Sequence, residues 1–471
     1  MAEAAVATRR PSVPVLTFLG AAGTVTGSRF LLDTPRGRVL VDAGLFQGPK
    51  ALRLRNWEPF PVPASSIDAI VLTHAHVDHS GLIPRLAAQG FDGPVYCTPG
   101  TLELSRIVLP DSGHLHEEEA AYANRMGFSK HDPALPLYTE QDARNCLAQF
   151  RPIEFGSVVS PVDDVTVVLR RAGHILGAAW VDLMWSTSGR RIAFSGDLGR
   201  STHPLLRPPE PLAGADVVVC ESTYGDEEHP ELSAQDVLAD VINRTFGRGG
   251  VVLVPAFAVD RTEVVLWHLQ ELVASGRVPR VPVFVDSPMA TAALDAYRRA
   301  AAAGAPELRE SVRGRPLFGE LGLQTVRTRE ESEALNARPG PMIIVSASGM
   351  ATGGRVLHHL AHRVGDHRNT VMLVGFQAPG TRGAALVEGA AQVKMFGLYR
   401  QVRAEIAHLP LSAHADRSDL LEWVRDAGSA DIVYAVHGEP NASAAFAESV
   451  RSELGIAAVA PRDGERVRLD H

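Results

Sequence analysis

The segment HAHVDH carries four side chains that could bind a metal within six residues, and it directly follows the apolar strand pattern DAIVLT. Packing does not explain such a cluster, because an unpaired imidazole or carboxylate is costly to bury at the end of a core strand. Both groups are ordinary ligands of zinc. We therefore predict a metal site in this loop, with His74 and His76 directed at one ion and Asp78 and His79 at a second.

Further candidate ligands stand at the ends of other predicted strands. His174 in AGHILGA and Asp197 in FSGDLGR are flanked by glycines that let the backbone come close, and Asp42 closes the strand pattern RVLVD. Taken alone, a strand-end histidine is more often an ordinary core or surface residue, and a strand-end aspartate is usually a turn former. Two neighbouring ions, however, need additional ligands and a shared carboxylate. The 3 cysteines are too few and too scattered to provide a thiolate site, so histidine and carboxylate must bind any metal.

A Ser- and Gly-rich segment, SASGMATGGRVLHHL over residues 346–360, follows an apolar strand pattern and leads into a helical one. Free N–H groups and hydroxyls at such a junction can bind an anion. Between Pro341 and Arg382 the chain carries four Arg and one Asp, a local charge of +3 in a chain of net charge −8. The alternative interpretation is a plain glycine-rich turn beside a solvated helix face. His358 and His359 on that helix are predicted to lie on the surface.

These residues must be positioned by an α/β fold that is rich in strands. The first half of the chain contains short β-branched and apolar runs bounded by Gly, Pro or Asp, which are typical of strands. The runs cover residues 15–20, 29–33, 38–42, 67–74, 94–97, 165–170, 178–185 and 190–197. Helical spacing occurs in 80–90 and 139–150, where Thr139 is a predicted N-cap with Asp142 three residues later. A layered α/β domain is therefore predicted.

Further along the chain, strand and helix patterns alternate regularly, which indicates βα units on a parallel sheet. The strand patterns are 251–257, 281–286, 342–348 and 370–376, and the helical patterns are 260–275, 289–303 and a run from Gly354. Helical patterns over 416–427 and 440–454 then return to the earlier style. We predict that residues 1–225 and 398–471 form one domain, interrupted by an inserted domain over 226–397, in which 304–340 is the most loop-like part.

The composition excludes several classes of protein. The 471 residues are 45% hydrophobic and 21% charged, the balance of a globular chain rather than of a disordered, collagen-like or coiled-coil one. No apolar run approaches the ~20 residues needed to cross a bilayer, and the N-terminal MAEAAVATRRPSVP lacks the apolar stretch of a signal peptide. The net charge of −8 argues against coating nucleic acid through bulk positive potential, although a local basic channel stays open. A soluble, cytoplasmic chain without a membrane partner is predicted.

The order Asp42, HAHVDH, His174, Asp197 resembles the four successive motifs of the metallo-β-lactamase fold superfamily. The resemblance implies an αββα sandwich with a site for two zinc ions at one edge of the paired sheets. In that arrangement His74, His76 and His174 bind the first zinc, Asp78 and His79 bind the second, and Asp197 bridges them. Asp42 is then the residue that orients the ligand loop.

Three later segments resemble motifs A, B and C of the β-CASP subgroup, the branch that processes nucleic acids: CESTYGD with Glu221, PLSAHAD with His414, and AVHGE with His437. By this resemblance His437 completes the second zinc site. The resemblance also implies that the loop with Ser346, Ser348 and Gly349 holds a substrate phosphate. It runs from about Leu16 to about Leu469 and is closest to compact bacterial ribonucleases related to the endonuclease that cuts pre-mRNA 3′ ends.

These observations predict a two-zinc phosphodiesterase that cuts single-stranded RNA endonucleolytically. A hydroxide bridging the ions would attack phosphorus, and His414, oriented by Glu221, would protonate the leaving 3′-oxygen, with Asp78 and Asp42 completing the catalytic set. A DNA-directed nuclease stays open, because no residue is identified that reads the 2′-hydroxyl. A small-ester hydrolase acting on thioesters or lactones would share the first motifs but would not need the insert. A noncatalytic protein would be expected to have lost a ligand. A homodimer is a candidate assembly.

Overall fold

The computed structural model describes residues 10–127, 129–230 and 233–469. Residues 1–9, which contain most of the N-terminal segment considered for a signal peptide, lie outside the described residues. Among the helices of the described ranges, none is both long and apolar enough to cross a membrane. The chain forms two compact units, of which the first comprises Met1–Ser201, Pro208–Glu228 and His414–His471 and the second comprises Thr202–Arg207 and His229–Ala413.

The strands, in chain order, are β1 (Val15–Phe18), β2 (Phe30–Asp33), β3 (Arg38–Val41), β4 (Ala69–Val71), β5 (Val95–Cys97), β6 (Phe150–Pro152), β7 (Val158–Val162), β8 (Val165–Arg171), β9 (Ala179–Trp185), β10 (Arg190–Phe194), β11 (Val217–Glu221), β12 (Val251–Ala256), β13 (Val283–Val285), β14 (Leu323–Thr325), β15 (Met342–Ala347), β16 (Thr370–Val374), β17 (Gln392–Met395), β18 (Leu398–Gln401), β19 (Glu405–Leu409), β20 (Ile432–Val436), β21 (Ala457–Val459) and β22 (Arg466–Arg468). The α-helices are α1 (Lys50–Leu54), α2 (Val77–Ser80), α3 (Ile83–Ala88), α4 (Pro99–Met126), α5 (Glu140–Cys146), α6 (Ala234–Gly247), α7 (Arg261–Ala274), α8 (Pro288–Ala303), α9 (Arg329–Ala337), α10 (Arg355–Arg363), α11 (Arg382–Val387), α12 (Arg417–Arg425) and α13 (Pro440–Ser449).

Two seven-stranded sheets form the centre of the first unit, in the orders β22-β1-β2-β3-β4-β5-β6 and β21-β20-β11-β10-β9-β8-β7. Alternate side chains of each sheet point between the two sheets, and Phe18 and Val41 of the first share a core with Val181 and Phe194 of the second. Helices α3 and α5 cover the outer face of the first sheet, while α12 and α13 pack on β11 and β20 of the second. This is the predicted αββα sandwich.

The second unit contains a six-stranded sheet in the order β14-β13-β15-β12-β16-β19, in which every neighbouring pair is parallel. The predicted parallel α/β sheet of the insert is therefore confirmed. Because β19 pairs with β16, this unit continues to Ala413, beyond the predicted domain boundary at residue 397. The stretch 304–340 is predicted to be the most loop-like part, and it carries the short strand β14 and the helix α9.

Local sequence signals explain some helix boundaries and miss one long helix. Thr139 caps α5 as predicted, because its side chain accepts from the Asp142 N–H while the Asp142 carboxylate accepts from the Thr139 N–H. The 28-residue helix α4 lies between the two predicted helical segments and was not expected. It continues through Pro110, a residue type that usually ends a helix.

Candidate metal centre

The candidate ligands lie at the carboxyl ends of strands that end at one edge of the sandwich. Strand β4 leads through Thr73 into the HAHVDH loop, whose last part forms the single turn α2. His174 follows β8, Asp197 follows β10 and His437 follows β20. Strands of the same direction bring their final residues to one edge, so segments far apart in the sequence meet there.

A first group combines three imidazoles with one carboxylate. The Nδ1 atom of His76 lies 3.1 Å from His74 Nε2 and 3.2 Å from His174 Nε2. Asp197 Oδ2 lies 3.4 Å from His74 Nε2 and 3.6 Å from His174 Nε2. One ligand atom from each of these residues falls within 4.8 Å of the others, so the set could surround a single ion.

A second group combines Asp78, His79 and His437 beside the first. His437 Nε2 lies 3.3 Å from His79 Nε2 and 3.4 Å from Asp78 Oδ2. The other oxygen of the shared carboxylate, Asp197 Oδ1, is 3.2 Å from His79 Nε2. Asp197 therefore directs one oxygen toward each group, which is the position that a bridging ligand needs.

The ionisation of these side chains fits a bound cation. Burial lowers the pKa of His74 well below its usual value and lowers that of His76, which leaves neutral rings with lone pairs to donate. Burial raises the pKa of Asp197, but the surrounding imidazoles hold it well below its usual range. Burial lowers the pKa of His79, yet Asp197 and Asp42 together raise it well above its usual value. Positive charge is thus favoured between the buried imidazole nitrogens and the Asp197 carboxylate, and a metal ion bound there would supply that charge.

The Asp42 carboxylate orients His79 from behind. Its Oδ2 lies 2.7 Å from His79 Nδ1, and it accepts hydrogen bonds from the Thr73 N–H at 2.8 Å and the Thr73 hydroxyl at 2.9 Å. With Nδ1 engaged in this way, Nε2 is the nitrogen that faces the second group. Sequence analysis missed Thr73, although its place directly before HAHVDH is a usable signal.

His414 and Glu221 form a pair next to the first group. His414 Nδ1 lies 3.1 Å from Glu221 Oε2, and the fully buried carboxylate also accepts from the Leu198 N–H and the Thr223 hydroxyl, each at 2.6 Å. The imidazole keeps about a fifth of its surface exposed, since its side chain is 20% accessible. A partly exposed histidine held at Nδ1 by a carboxylate can give a proton to a substrate. Thr223 was also missed.

Glycine is required where the His174 and Asp197 segments touch. A Cβ atom on Gly199 would lie 1.8 Å from the carbonyl oxygen of Gly173, so no side chain fits there. Gly199 also pairs through its backbone with His414 in an antiparallel arrangement. The glycines noted beside the predicted ligands therefore have a packing role that brings the ligand segments together.

The predicted phosphate loop lies in the second unit, after β15. The Ser346 hydroxyl is buried and donates to the Asp286 carbonyl at 2.8 Å, so its proton is already engaged. Ser348 has a positive φ of 87°, and its hydroxyl lies 2.9 Å from that of Thr352. A Cβ on Gly349 would come within 3.0 Å of the Phe257 ring. Ser346 and Gly349 are buried, whereas Ser348 is half-buried, so the Ser348 side chain is the most accessible of the three predicted contacts.

His359 corrects one expectation from the sequence. His358 is exposed as predicted, but His359 is fully buried, with Nε2 2.6 Å from Asp286 Oδ2 and Nδ1 2.9 Å from Asn336 Oδ1. The prediction that His359 lies on the surface is wrong because the inner face of α10 carries it between the carboxylate at the end of β13 and helix α9. Adjacent histidines on a helix point in different directions, so one can be buried while its neighbour is solvated.

Three family models match successive parts of the chain. The Beta-lactamase superfamily domain matches residues 37–246, the Beta-Casp domain matches 262–386, and the Zn-dependent metallo-hydrolase RNA specificity domain matches 399–461. Together they cover the segments that hold the ligand groups, the Ser348 loop and the C-terminal histidines.

Similar proteins match over most of the chain. Ribonuclease TTHA0252 from Thermus thermophilus is 36% identical over 423 residues, which is 89% of this chain and 92% of the relative. Transcription termination factor FttA from Methanosarcina mazei is 31% identical over 474 residues, which is 96% of this chain and 71% of the relative. A crystal structure of a protein of unknown function from Enterococcus faecalis shares the fold, with a TM-score of 0.57 at 13% identity over 97% of this chain and 100% of that one.

Proposed function

The chain belongs to the β-CASP branch of the metallo-β-lactamase superfamily, and from this premise we propose that it is a metal-dependent ribonuclease that hydrolyses phosphodiester bonds of single-stranded RNA. The observation that carries the proposal is the position of Asp197, whose two oxygens face two separate ligand groups, with the His414–Glu221 pair alongside. Support for an RNA substrate comes from the RNA specificity domain and from a relative named as a ribonuclease.

We propose two zinc ions per chain. His74, His76 and His174 would hold one ion, and Asp78, His79 and His437 would hold the other, with Asp197 shared between them. Five imidazoles and two carboxylates make a nitrogen-rich set, which favours zinc over manganese, a metal that prefers more oxygen ligands. When bound, such ions activate water as Lewis acids and neutralise charge on phosphate oxygens.

The chain's own residues then supply orientation and a proton. Asp42 fixes the ring of His79, and Glu221 holds Nδ1–H of His414 so that the opposite nitrogen faces the substrate. As an oxygen of water bonds to phosphorus, the bond from phosphorus to the 3′-oxygen breaks and that oxygen takes a proton from His414. The products are a 3′-hydroxyl and a 5′-phosphate. A positioned proton donor of this kind contributes ~10²–10⁴-fold to a rate.

The loop of Ser348 and Gly349 is proposed to hold a backbone phosphate of the RNA. The half-buried Ser348 hydroxyl suits a phosphate oxygen, and Phe257 packs closely against Gly349, so a side chain at residue 349 would disturb the loop. Cutting within the strand is the proposed mode, and the chain is proposed to act in solution in the cytoplasm, with a homodimer as the assembly to test.

The test combines metal content with cleavage of end-labelled nucleic acid. Purified protein is incubated with 5′-labelled and 3′-labelled single-stranded RNA and with matched DNA, and zinc is measured by elemental analysis. We expect labelled RNA fragments of intermediate length from both the 5′-labelled and the 3′-labelled substrate, and two zinc ions per chain. His76→Ala and Asp197→Ala should lose both zinc and cleavage, whereas His367→Ala, a change at a highly exposed histidine, should lose neither.

Each departure has a defined meaning. Single nucleotides released only from the 5′ label would replace the proposed mode with a 5′-exonuclease. Equal cutting of DNA would overturn the RNA preference. Full zinc retention in both ligand variants would refute the ligand assignment. Hydrolysis of a thioester or lactone without any cleavage of nucleic acid would refute the ribonuclease proposal itself.

A further inference from the structure

Three arginines converge on a cavity in the first unit, away from the predicted ligands. The cavity has a volume of about 70 Å³ and is lined by Arg29, Arg55 and Arg85 together with apolar side chains such as Phe60 and Leu86. Glu58 is the only acidic residue among the described residues that line it. The cavity therefore combines a surplus of positive charge with an apolar wall.

Arg29 is the most unusual member, because it is buried without a carboxylate partner. Its side chain is 6% exposed, its Nε donates to the Gly44 carbonyl at 2.8 Å, and its Nη2 donates to Asn56 Oδ1 at 3.0 Å. Among the described residues, nothing accepts a hydrogen bond from its Nη1. Burial and the charge of Arg55 lower the pKa of Arg29 to about 9. The charges of Asp463 and Glu58 offset part of this effect, but neither carboxylate hydrogen-bonds to Arg29 in the described structure, so an anion at this point would stabilise the buried guanidinium.

Arg55 and Arg85 add positive charge to the cavity, and they differ in whether a carboxylate pairs with them. Arg55 lies 3.9 Å from the centre of the Phe46 ring, which also packs against Arg29 at 4.5 Å, and Arg55 pairs with Asp463 at 2.7 Å. Arg85 donates to the main-chain carbonyls of Asn56 and Trp57, neither of which carries a full charge. Two of the three guanidinium groups thus have no carboxylate contact in the described structure.

A purely structural explanation accounts for only part of this arrangement. Arg29 and Arg85 do hold the segment around Asn56 through hydrogen bonds to neutral oxygens, and the guanidinium groups of Arg29 and Arg55 pack on the Phe46 ring. Asp463 offsets the charge of Arg55, but neutral oxygens do not offset the charges of Arg29 and Arg85, and fastening a turn does not require a cavity on which the arginines converge. Arginine presents several donors in one plane, which matches the oxygens of a phosphate.

We propose that this arginine pocket binds the phosphate group of a small molecule, either inorganic phosphate or a nucleoside 5′-monophosphate. The cavity volume of about 70 Å³ is below the roughly 300–1,000 Å³ of sites that enclose a whole small ligand, so the pocket would enclose the phosphate group and leave the rest of a larger ligand outside. Phosphate oxygens would accept from Arg29 and Arg85, and the apolar wall would contact whatever part of the ligand extends beyond the phosphate. The proposal rests on these contacts alone and does not depend on the ribonuclease activity.

Calorimetric titration tests the proposal directly. Inorganic phosphate and uridine 5′-monophosphate are titrated separately into the full chain and into His76→Ala, which removes a predicted metal ligand and so separates this pocket from phosphate bound at a metal. We expect one binding event that survives His76→Ala. Arg85→Gln should weaken that event by about 10- to 100-fold, the equivalent of one hydrogen bond to a charged group.

Two further variants keep the result interpretable. Arg29→Lys retains the charge but loses the planar donor arrangement, so it should also weaken binding while its thermal unfolding shows that the protein is folded. Arg53→Gln on the exposed face of α1 is the matched control and should bind as the wild type does. A crystal soaked with tungstate should show the heavy atom between Arg29 and Arg85.

The outcomes separate the two sources of phosphate and define failure. Tighter binding of the nucleotide than of inorganic phosphate would identify a nucleotide site, and equal or weaker binding would identify a phosphate site. Absence of any event that survives His76→Ala would overturn the proposal. So would an event that Arg85→Gln and Arg29→Lys leave unchanged, or tungstate bound only elsewhere.

Discussion

Replacing Asp42 by asparagine tests whether this carboxylate sets the protonation of His79. Asp42 has a positive φ of 59°, a conformation that asparagine tolerates better than alanine, so Asp42→Asn changes the chemistry with little backbone strain. Oδ1 continues to accept from the Thr73 N–H at 2.8 Å. The new amide nitrogen then takes the position 2.7 Å from His79 Nδ1, where it can only donate. His79 must therefore carry its proton on Nε2, the nitrogen that faces the metal group.

The alternative orientation of the amide is also unfavourable. If the asparagine flips, its oxygen faces His79 but its NH₂ group meets the Thr73 N–H, which leaves two buried donors opposed. Either orientation should weaken the second metal site by about 10- to 100-fold, or about 1.4–2.7 kcal/mol, the usual effect of losing a group that orients a ligand. The affinity for the ion of the first group should be less affected, because the described structure shows no hydrogen bond between Asp42 and the ligands of that group.

Metal affinity is measured by competition with a chromophoric chelator, and RNA cleavage is measured with and without excess metal. The matched control is Asp33→Asn, because Asp33 is also buried and hydrogen-bonds Arg38 within the same sheet at 2.5 Å. That control should lower stability but leave metal affinity unchanged. Wild-type affinity for both ions in Asp42→Asn would refute the reasoning, as would an equal loss of affinity in Asp33→Asn.

Other changes should have distinct effects. Glu221→Gln should retain the metal but cut RNA ~10²–10⁴-fold more slowly, because the His414 Nδ1–H loses its charged acceptor. A substrate with a 3′-bridging sulfur should restore much of the rate, and no rescue would remove the pair from proton transfer. Ser348→Ala should raise KM for RNA more than for bis-p-nitrophenyl phosphate, and equal effects on both would contradict a separate phosphate site. Burial and the neighbouring Asp260 raise the pKa of Glu263 well above its usual 4.5, so the folded state keeps a proton that the unfolded chain releases. The protein's free energy of unfolding should then fall as the pH rises above 4.5, by up to about 1.4 kcal/mol per pH unit, until the pH reaches the pKa of Glu263 in the folded state. Glu263→Gln should abolish this slope in urea unfolding between about pH 5 and pH 8, and an unchanged slope would show that the residue is ionised in the fold.

The parts of the site that the sequence predicts are those encoded locally. HAHVDH combines an apolar strand pattern with polar residues that the strand cannot bury alone, and both facts are visible within a dozen residues. The N-cap at Thr139 and the alternation of strands and helices in the insert are equally local, since each depends on the period of the side chains. For this reason the sandwich and the parallel sheet follow from the sequence.

Other features depend on contacts between distant segments and have no local signal. The burial of His359 is decided by Asp286 and Asn336, 73 and 23 residues away in the chain. The arginine pocket likewise depends on Arg29 and Arg85 approaching one turn from different elements. Helix α4 was missed because Pro110 interrupts its local signal, while packing of its buried face stabilises the helix.

The strand order also decides when, during synthesis, the protein can acquire its full ligand set. Strand β22 pairs with β1, and β20, which leads into His437, pairs with β11 on the far side of the inserted unit in the sequence. A chain still emerging from the ribosome therefore contains HAHVDH early, but the group of Asp78, His79 and His437 stays incomplete until residue 437 has left the ribosome. The same is true of His414, the proposed proton donor. Translation through His437 must precede assembly of the centre, so a shorter product that ends before His414 lacks one proposed ligand and the proposed proton donor.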